Sequence, residues 1–259
     1  MMRGLTWLVA AGLSLVHPAL ADGKMLTYTV GDIDYERELT EFGGDPVRVH
    51  VFVTEDRAEV MGDAEPCKHG LWRAAELSSA EGVRKVVYGT VSPDGKTGKI
   101  LTVDREGEVL RMSFEGLDEP PLIVAAPVWP VIFYDLDLAD LNAVLAGMPT
   151  LGQSFDFGVA LVWPELGSDL LQSRGTASAR FDGESKWQGR TAYHYDVSGA
   201  LTGELWIDKA QAHILEARFD QSNYPEFRDF HLVLETERLD GEEAWQTLKT
   251  RNWGNCPAK

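Results

Sequence analysis

Apolar and polar residues alternate with a period of two along most of the chain beyond residue 22. Leu26, Tyr28 and Val30 alternate with Thr27 and Thr29; Val47, Val49, Val51 and Val53 alternate with Arg48, His50 and Phe52. This period places successive side chains on opposite faces of a strand. Val86, Tyr88 and Thr90 form a further short strand before the turn Pro93-Asp94-Gly95. The runs 99–103 and 108–114 flank Asp104-Arg105-Glu106-Gly107 and read as a β-hairpin, with Leu110, Met112 and Phe114 on one face and Arg111 and Ser113 on the other.

The middle of the chain breaks this rhythm. Residues 119–133 carry four prolines and almost no charge. Proline cannot donate to a sheet ladder, so the segment is expected to be an irregular apolar connection. Residues 137–146 then place Leu138, Leu141, Val144 and Leu145 at helical spacing, with Asp137 as N-cap and Gly147 and Pro149 as the stop. A weaker helical pattern covers 72–79. The second half returns to strands, at 155–163, 176–181, 191–197, 203–208, 213–219, 230–236 and 245–249, with turn residues between them. Recurrence every 10–16 residues is the mark of meandering antiparallel neighbours. The predicted fold is therefore mostly β: a large curved antiparallel sheet, an open or half β-barrel, with one or two helices on its concave side.

The first residues change the picture of where the protein works. Arg3, the apolar run Leu5–Val16, Pro18 and then Ala19-Leu20-Ala21 have the three parts of a secretory signal. Cleavage after Ala21 is expected, leaving 22–259 as a single β-rich domain in the periplasm. The apolar run is too short to span a bilayer, and no later stretch is apolar enough to do so. Cys67 and Cys256 are the only cysteines. In an oxidising compartment an even pair without CxxC spacing reads as one structural disulfide, the alternative being two free thiols. The net charge of −17 argues against nucleic acid and anionic lipid surfaces as partners.

Motifs for catalysis are scarce. There is no HExxH, no Cys/His zinc cluster, no GxSxG elbow and no phosphate-binding glycine loop. No metal or cofactor is therefore expected. Gly152–Gly158 reads as a loop entering a strand. Asp135, Asp137 and Asp140 gather at the start of the predicted helix, where acids favour the helix dipole, a calcium site being the sharper reading. Glu204 and Asp208 flank a strand without marking a glycosidase pair. His194 is expected to face water, and His213 and His231 to be cross-strand neighbours only if the register permits.

Aromatic residues carry more. One confident helix is too little to cover the concave face of so large a sheet, which leaves room for a ligand. Trp129, Phe133, Phe157, Trp163, Trp206 and Phe219 are the candidate lining of such a cavity.

Gly183, the run 187–195, Gly203-Glu204-Leu205-Trp206-Ile207-Asp208 and Ile214-Leu215-Glu216-Ala217-Arg218 resemble the strand, glycine-turn and G-x-LW-[IV]-D pattern of the periplasmic half-barrel proteins of the LolA/LolB-like superfamily. The hairpin at 101–111 resembles theirs also. The chain departs from those carriers in lacking a long helix after Asp22 and in carrying the cysteine pair. The resemblance implies a half-open barrel around an apolar cavity, with a lipid or an acylated protein as the partner and no catalysis. The expected function is that of a non-enzymatic periplasmic protein binding an acyl chain, lipid or lipoprotein. The alternatives are a cell-envelope interaction module acting on an envelope protein without a ligand, and an exported hydrolase.

Overall fold

The computed structural model describes residues 23–31, 47–63, 65–78, 82–149, 151–163, 169–224, 227–254 and 256. The proposed signal peptide lies outside the described residues. The first strands are β1 (Lys24–Gly31), β2 (Val47–Val53), β3 (Arg57–Gly62), β4 (Gly70–Ser78) and β5 (Gly82–Val91). They are followed by β6 (Thr97–Glu106), β7 (Val109–Phe114), β8 (Leu122–Ala125) and β9 (Val131–Phe133). A 3-10 turn, Tyr134–Leu136, leads into helix α1 (Ala139–Gly147). Then come β10 (Phe155–Val162), β11 (Leu171–Trp187), β12 (Arg190–Gly199), β13 (Gly203–Asp208), β14 (Ile214–Phe219), β15 (Phe230–Arg238) and helix α2 (Gly241–Trp253).

Twelve of these strands form a closed ring. From β5 the order runs β4, β3, β2, β1, β15, β14, β13, β12, β11, β10 and β9, and β9 meets β5 again. All neighbours are antiparallel except short β9, which runs parallel to β10 and to β5. The mostly-β, antiparallel expectation is met, and the sheet goes further by closing where an open half-barrel was expected. The physical reason is β4. The sequence of 72–79 carries a weaker helical pattern, and its Ala, Leu, Glu and Arg residues favour helices. Residues 70–78 instead pair along their whole length with β5, and 72–76 also pair with β3, so tertiary pairing overrides propensity. At the β9–β5 seam Gly82 has φ +69°, and a Cβ there would lie 2.6 Å from the Val131 carbonyl oxygen. Glycine is what lets these two backbones approach so closely.

β6, β7 and β8 continue from β5 as a flap whose Leu101, Val103, Leu110 and Met112 join the main core. β8 lies inside the segment expected to be irregular; the four prolines stand just outside it.

The barrel interior is filled by the chain itself. Every residue from Val131 to Leu145 is buried, so α1 is covered on all sides up to Leu145 and packs inside the barrel against β2, β3, β4 and β5. Asp137 and Leu138 both have left-handed backbones (φ 51° and 59°), so the helix begins at Ala139 and Asp137 makes no N-cap. Asn142 ties the helix to the wall: its Oδ1 accepts the Ile214 N–H at 2.8 Å and its Nδ2 donates to the Leu138 carbonyl.

The second helix is a correction. Residues 245–249 were expected to be a strand, since five residues of W-Q-T-L-K satisfy alternation. Over the full length of α2, Ala244, Trp245, Leu248, Asn252 and Trp253 are buried with helical spacing. α2 lies on the outside of the barrel over Phe52, Met61 and Val91, a second small core. Trp245 stacks on Phe52 with ring centres 5.9 Å apart. This cover explains why Phe52, on the outer face of β2, is buried. The buried Glu59 carboxylate accepts the indole N–H of Trp72 at 2.8 Å. Cys67 and Cys256 form the expected disulfide. No helix among the described residues is long and apolar enough to cross a membrane.

Candidate functional site

Antiparallel pairing brings the end of β1, the start of β2, the end of β3 and the start of β4 to one end of the barrel. A cavity of about 720 Å³ opens there, within the range of small-molecule sites. Its walls are largely apolar, from Val30, Val47, Val49 and Leu71, with Tyr224 and Phe227 from the β14–β15 connection. Arg73 and Asp137 also line it.

Arg73 is the unusual residue. Leu71, Arg73, Ala75 and Leu77 share the parity of β4 that faces the interior, and Ala75 and Leu77 belong to the main core. A guanidinium therefore occupies a position that the pattern reserves for an apolar side chain. It is held on several sides. Nη2 donates to Asp137 Oδ2 at 2.9 Å, and Nη1 donates to the Asp135 carbonyl and to the Tyr224 hydroxyl. The Tyr224 ring lies 5.6 Å from the guanidinium carbon, and its hydroxyl donates to the same Asp135 carbonyl at 2.9 Å. Asn223 Nδ2 donates to Asp137 Oδ1 at 2.8 Å.

The three aspartates of the sequence cluster end in three separate environments. Asp135 accepts the Val162 N–H at 3.0 Å. Asp140 accepts the N–H groups of Phe133 and Leu141. Burial raises all three carboxyl pKa values, because a charged carboxylate loses its hydration there. Asp140 is pushed up to about 8 despite its two backbone donors. Asp135 reaches about 6, restrained by the Val162 N–H, Arg73 and Tyr88. Asp137 is raised, with Arg73 and Asn223 opposing the shift.

The six aromatic residues expected to line a cavity are dispersed, and none lines the one at the barrel mouth. Phe133, Phe157 and Phe219 are buried core side chains; Phe219 stacks on Phe230 at 6.0 Å. Trp163 is half-buried, with the Arg174 guanidinium 5.6 Å from its ring centre. Trp206 lies against His194 at 4.8 Å and Arg218 at 5.7 Å. Trp129 is exposed beside Arg105. The residues that do line the cavity were legible only in part. Val30, Val47 and Val49 stand out by alternation, whereas Arg73 was hidden in the segment read as helix.

Among the described residues, one group has the spacing of a metal site: Asp182, His194 and Asp196. A bulge in β11 between Phe181 and Gly183 leaves Asp182 out of register, with its Oδ2 3.2 Å from His194 Nδ1. Arg180 ion-pairs with Asp196 and lies 3.9 Å from Asp182, so a positive charge already stands there. Glu204 sits 3.4 Å from His194, while Asp208 pairs with Arg190. His213 and His231 have different acid partners, Glu237 and Glu216.

No known family model matches the chain, and no curated protein matches it. Among solved structures it is similar to the crystal structure of a β-barrel-like protein of a domain of unknown function, DUF1849, from Brucella abortus. That match has 8% sequence identity and a TM-score of 0.44, and covers 83% of this chain and 96% of that one.

Proposed function

We propose that this is an exported, non-enzymatic binding protein that holds a small, largely apolar molecule in the cavity at the barrel mouth. The cavity of about 720 Å³ with mostly apolar walls carries this reading. Apolar burial of a ligand contributes about 25 cal/mol per Å² before the cost of association. The interior that a half-barrel carrier would offer is here occupied by α1, so the ligand belongs at the mouth.

Two of the acids lining the cavity are already engaged, Asp63 with Arg48 and His50 and Asp137 with Arg73. This favours binding over acid–base catalysis. The signal-like N-terminus and the disulfide favour the periplasm, and the resemblance of 183–218 to envelope carriers favours a lipid or an acyl group as the ligand class.

Native mass spectrometry of protein purified from a bacterial periplasm tests this, with organic extraction of whatever is bound. A co-purifying apolar molecule is the expected result. A bare protein mass, with no uptake of an apolar fluorescent probe, would refute the reading. It would turn attention to an envelope interaction module, for which β8, the last strand of the sheet, with exposed Leu122 and Ile123, is the surface to examine.

A further inference from the structure

We infer that the molecule in the mouth cavity is uncharged where it meets Arg73, presenting a neutral polar group such as an ester or a hydroxyl. This rests on the binding role proposed above and names the ligand class.

The charge balance of the cavity carries the inference. Arg73 is the cation at the interior end, with its side chain only 12% exposed, and its partner Asp137 is 1% exposed. The pair is matched one to one at 2.9 Å. Behind it lie Asp135 and Asp140, which add acidic groups and no cation. A carboxylate or phosphate arriving at Arg73 would share one guanidinium with Asp137 in a mostly apolar space. One of the two anions would then be buried without a counter-charge, which is strongly unfavourable. At the outer wall Asp63 lies 3.5 Å from Arg48 and 3.0 Å from His50, and Glu65 and Lys68 both line the opening.

The donor inventory points the same way. Arg73 spends three of its five N–H groups on the Asp135 carbonyl, the Tyr224 hydroxyl and Asp137. Nε is buried and has no partner among the described residues. Nε lies too deep for a ligand atom to touch, so the ligand meets a guanidinium already held by the chain's own acceptors and in no need of a second anion. With apolar walls around the rest, the class defined is a neutral amphiphile: a fatty alcohol, an alkyl ester or a monoacylglycerol.

The test is competitive displacement of N-phenyl-1-naphthylamine, a neutral apolar probe, at neutral pH. The competitors are dodecanol, monolaurin and laurate, which share a twelve-carbon chain. The wild type is compared with Asp137→Asn and with Arg73→Met/Asp137→Asn. Asparagine suits the left-handed backbone at 137 (φ 51°); the single variant leaves the guanidinium unmatched, and the double variant removes both charges together.

For the wild type, the neutral competitors are expected to displace the probe about tenfold more tightly than laurate. In Asp137→Asn the unmatched guanidinium should improve laurate by about tenfold or more. In the double variant laurate should lose that gain. A wild type that prefers laurate, or a preference that Asp137→Asn leaves unmoved, overturns the inference while probe binding keeps the cavity reading intact. If the probe does not bind the wild type at all, the cavity reading falls and the inference falls with it.

Discussion

The disulfide closes a very long loop, and its removal has a magnitude that follows from the chain. Cys67 and Cys256 are 189 residues apart in sequence. In the chain-entropy model, freeing a loop of that length lowers stability by about 5 kcal/mol at room temperature. For a domain of this size each kcal/mol is about 2–4 °C in melting temperature, so Cys67→Ser/Cys256→Ser should melt about 10–20 °C below the oxidised wild type. The native fold should persist. Trp245 and Leu248 still anchor α2 over Phe52 and Met61, the Cys67 N–H still donates to the Asn252 carbonyl at 2.8 Å, and the Trp253 indole still donates to the Lys68 carbonyl at 2.8 Å. The assay is thermal and urea unfolding followed by circular dichroism, with the wild type in reductant as a second route to the same state. Both routes should give the same shift with an unchanged native spectrum. A shift below about 4 °C would refute the reasoning, because the crosslink would then restrict little of the denatured chain.

Three further outcomes are expected. Asp140→Asn should flatten the dependence of stability on pH. Its carboxyl titrates at about 8 in the fold against 3.8 as its ordinary value. The folded state therefore holds the proton more tightly, and stability is fully present below about pH 4 and falls as pH rises toward 8. Urea midpoints measured from pH 5 to 8 should decline in the wild type and less so in the variant; equal slopes would exclude this carboxyl as the titrating group. Gly82→Ala brings a Cβ within 2.6 Å of the Val131 carbonyl oxygen at a backbone of φ +69°, and should cost about 1–3 kcal/mol in urea unfolding by prising the barrel seam. Asn142→Leu leaves the buried Ile214 N–H without its acceptor and should cost about 1–3 kcal/mol by the same measurement.

Much of the β architecture was legible because alternation is a local signal. Leu26, Tyr28 and Val30 face the main core as their pattern requires, and so do Val49, Val51 and Val53. Helix α1 was legible too, within two residues at its start. What alternation could not show was the partner of each strand. β4 looks helical in isolation and becomes a strand only through β3 and β5, so closure of the ring was invisible. Likewise W-Q-T-L-K at 245–249 reads as a strand until the thirteen residues of α2 are taken together.

The site was less legible than the fold. Large aromatic residues are good core formers, and Phe133, Phe157 and Phe219 went to the core for that reason. The cavity instead depends on Arg73, Asp137 and Tyr224, which lie far apart in sequence and meet only because α1 enters the barrel beneath β4. No spacing rule links them.

The central claim, that the barrel mouth binds an apolar molecule, is tested most directly by titrating N-phenyl-1-naphthylamine into the wild type and into Val47→Asp/Leu71→Asp. Val47 and Leu71 are cavity-wall residues with exposures of 37% and 70%, so the fold tolerates both changes. Saturable fluorescence enhancement in the wild type, weakened about tenfold or more in the variant, is the predicted result. Equal binding by both proteins, or none by the wild type, would contradict the account.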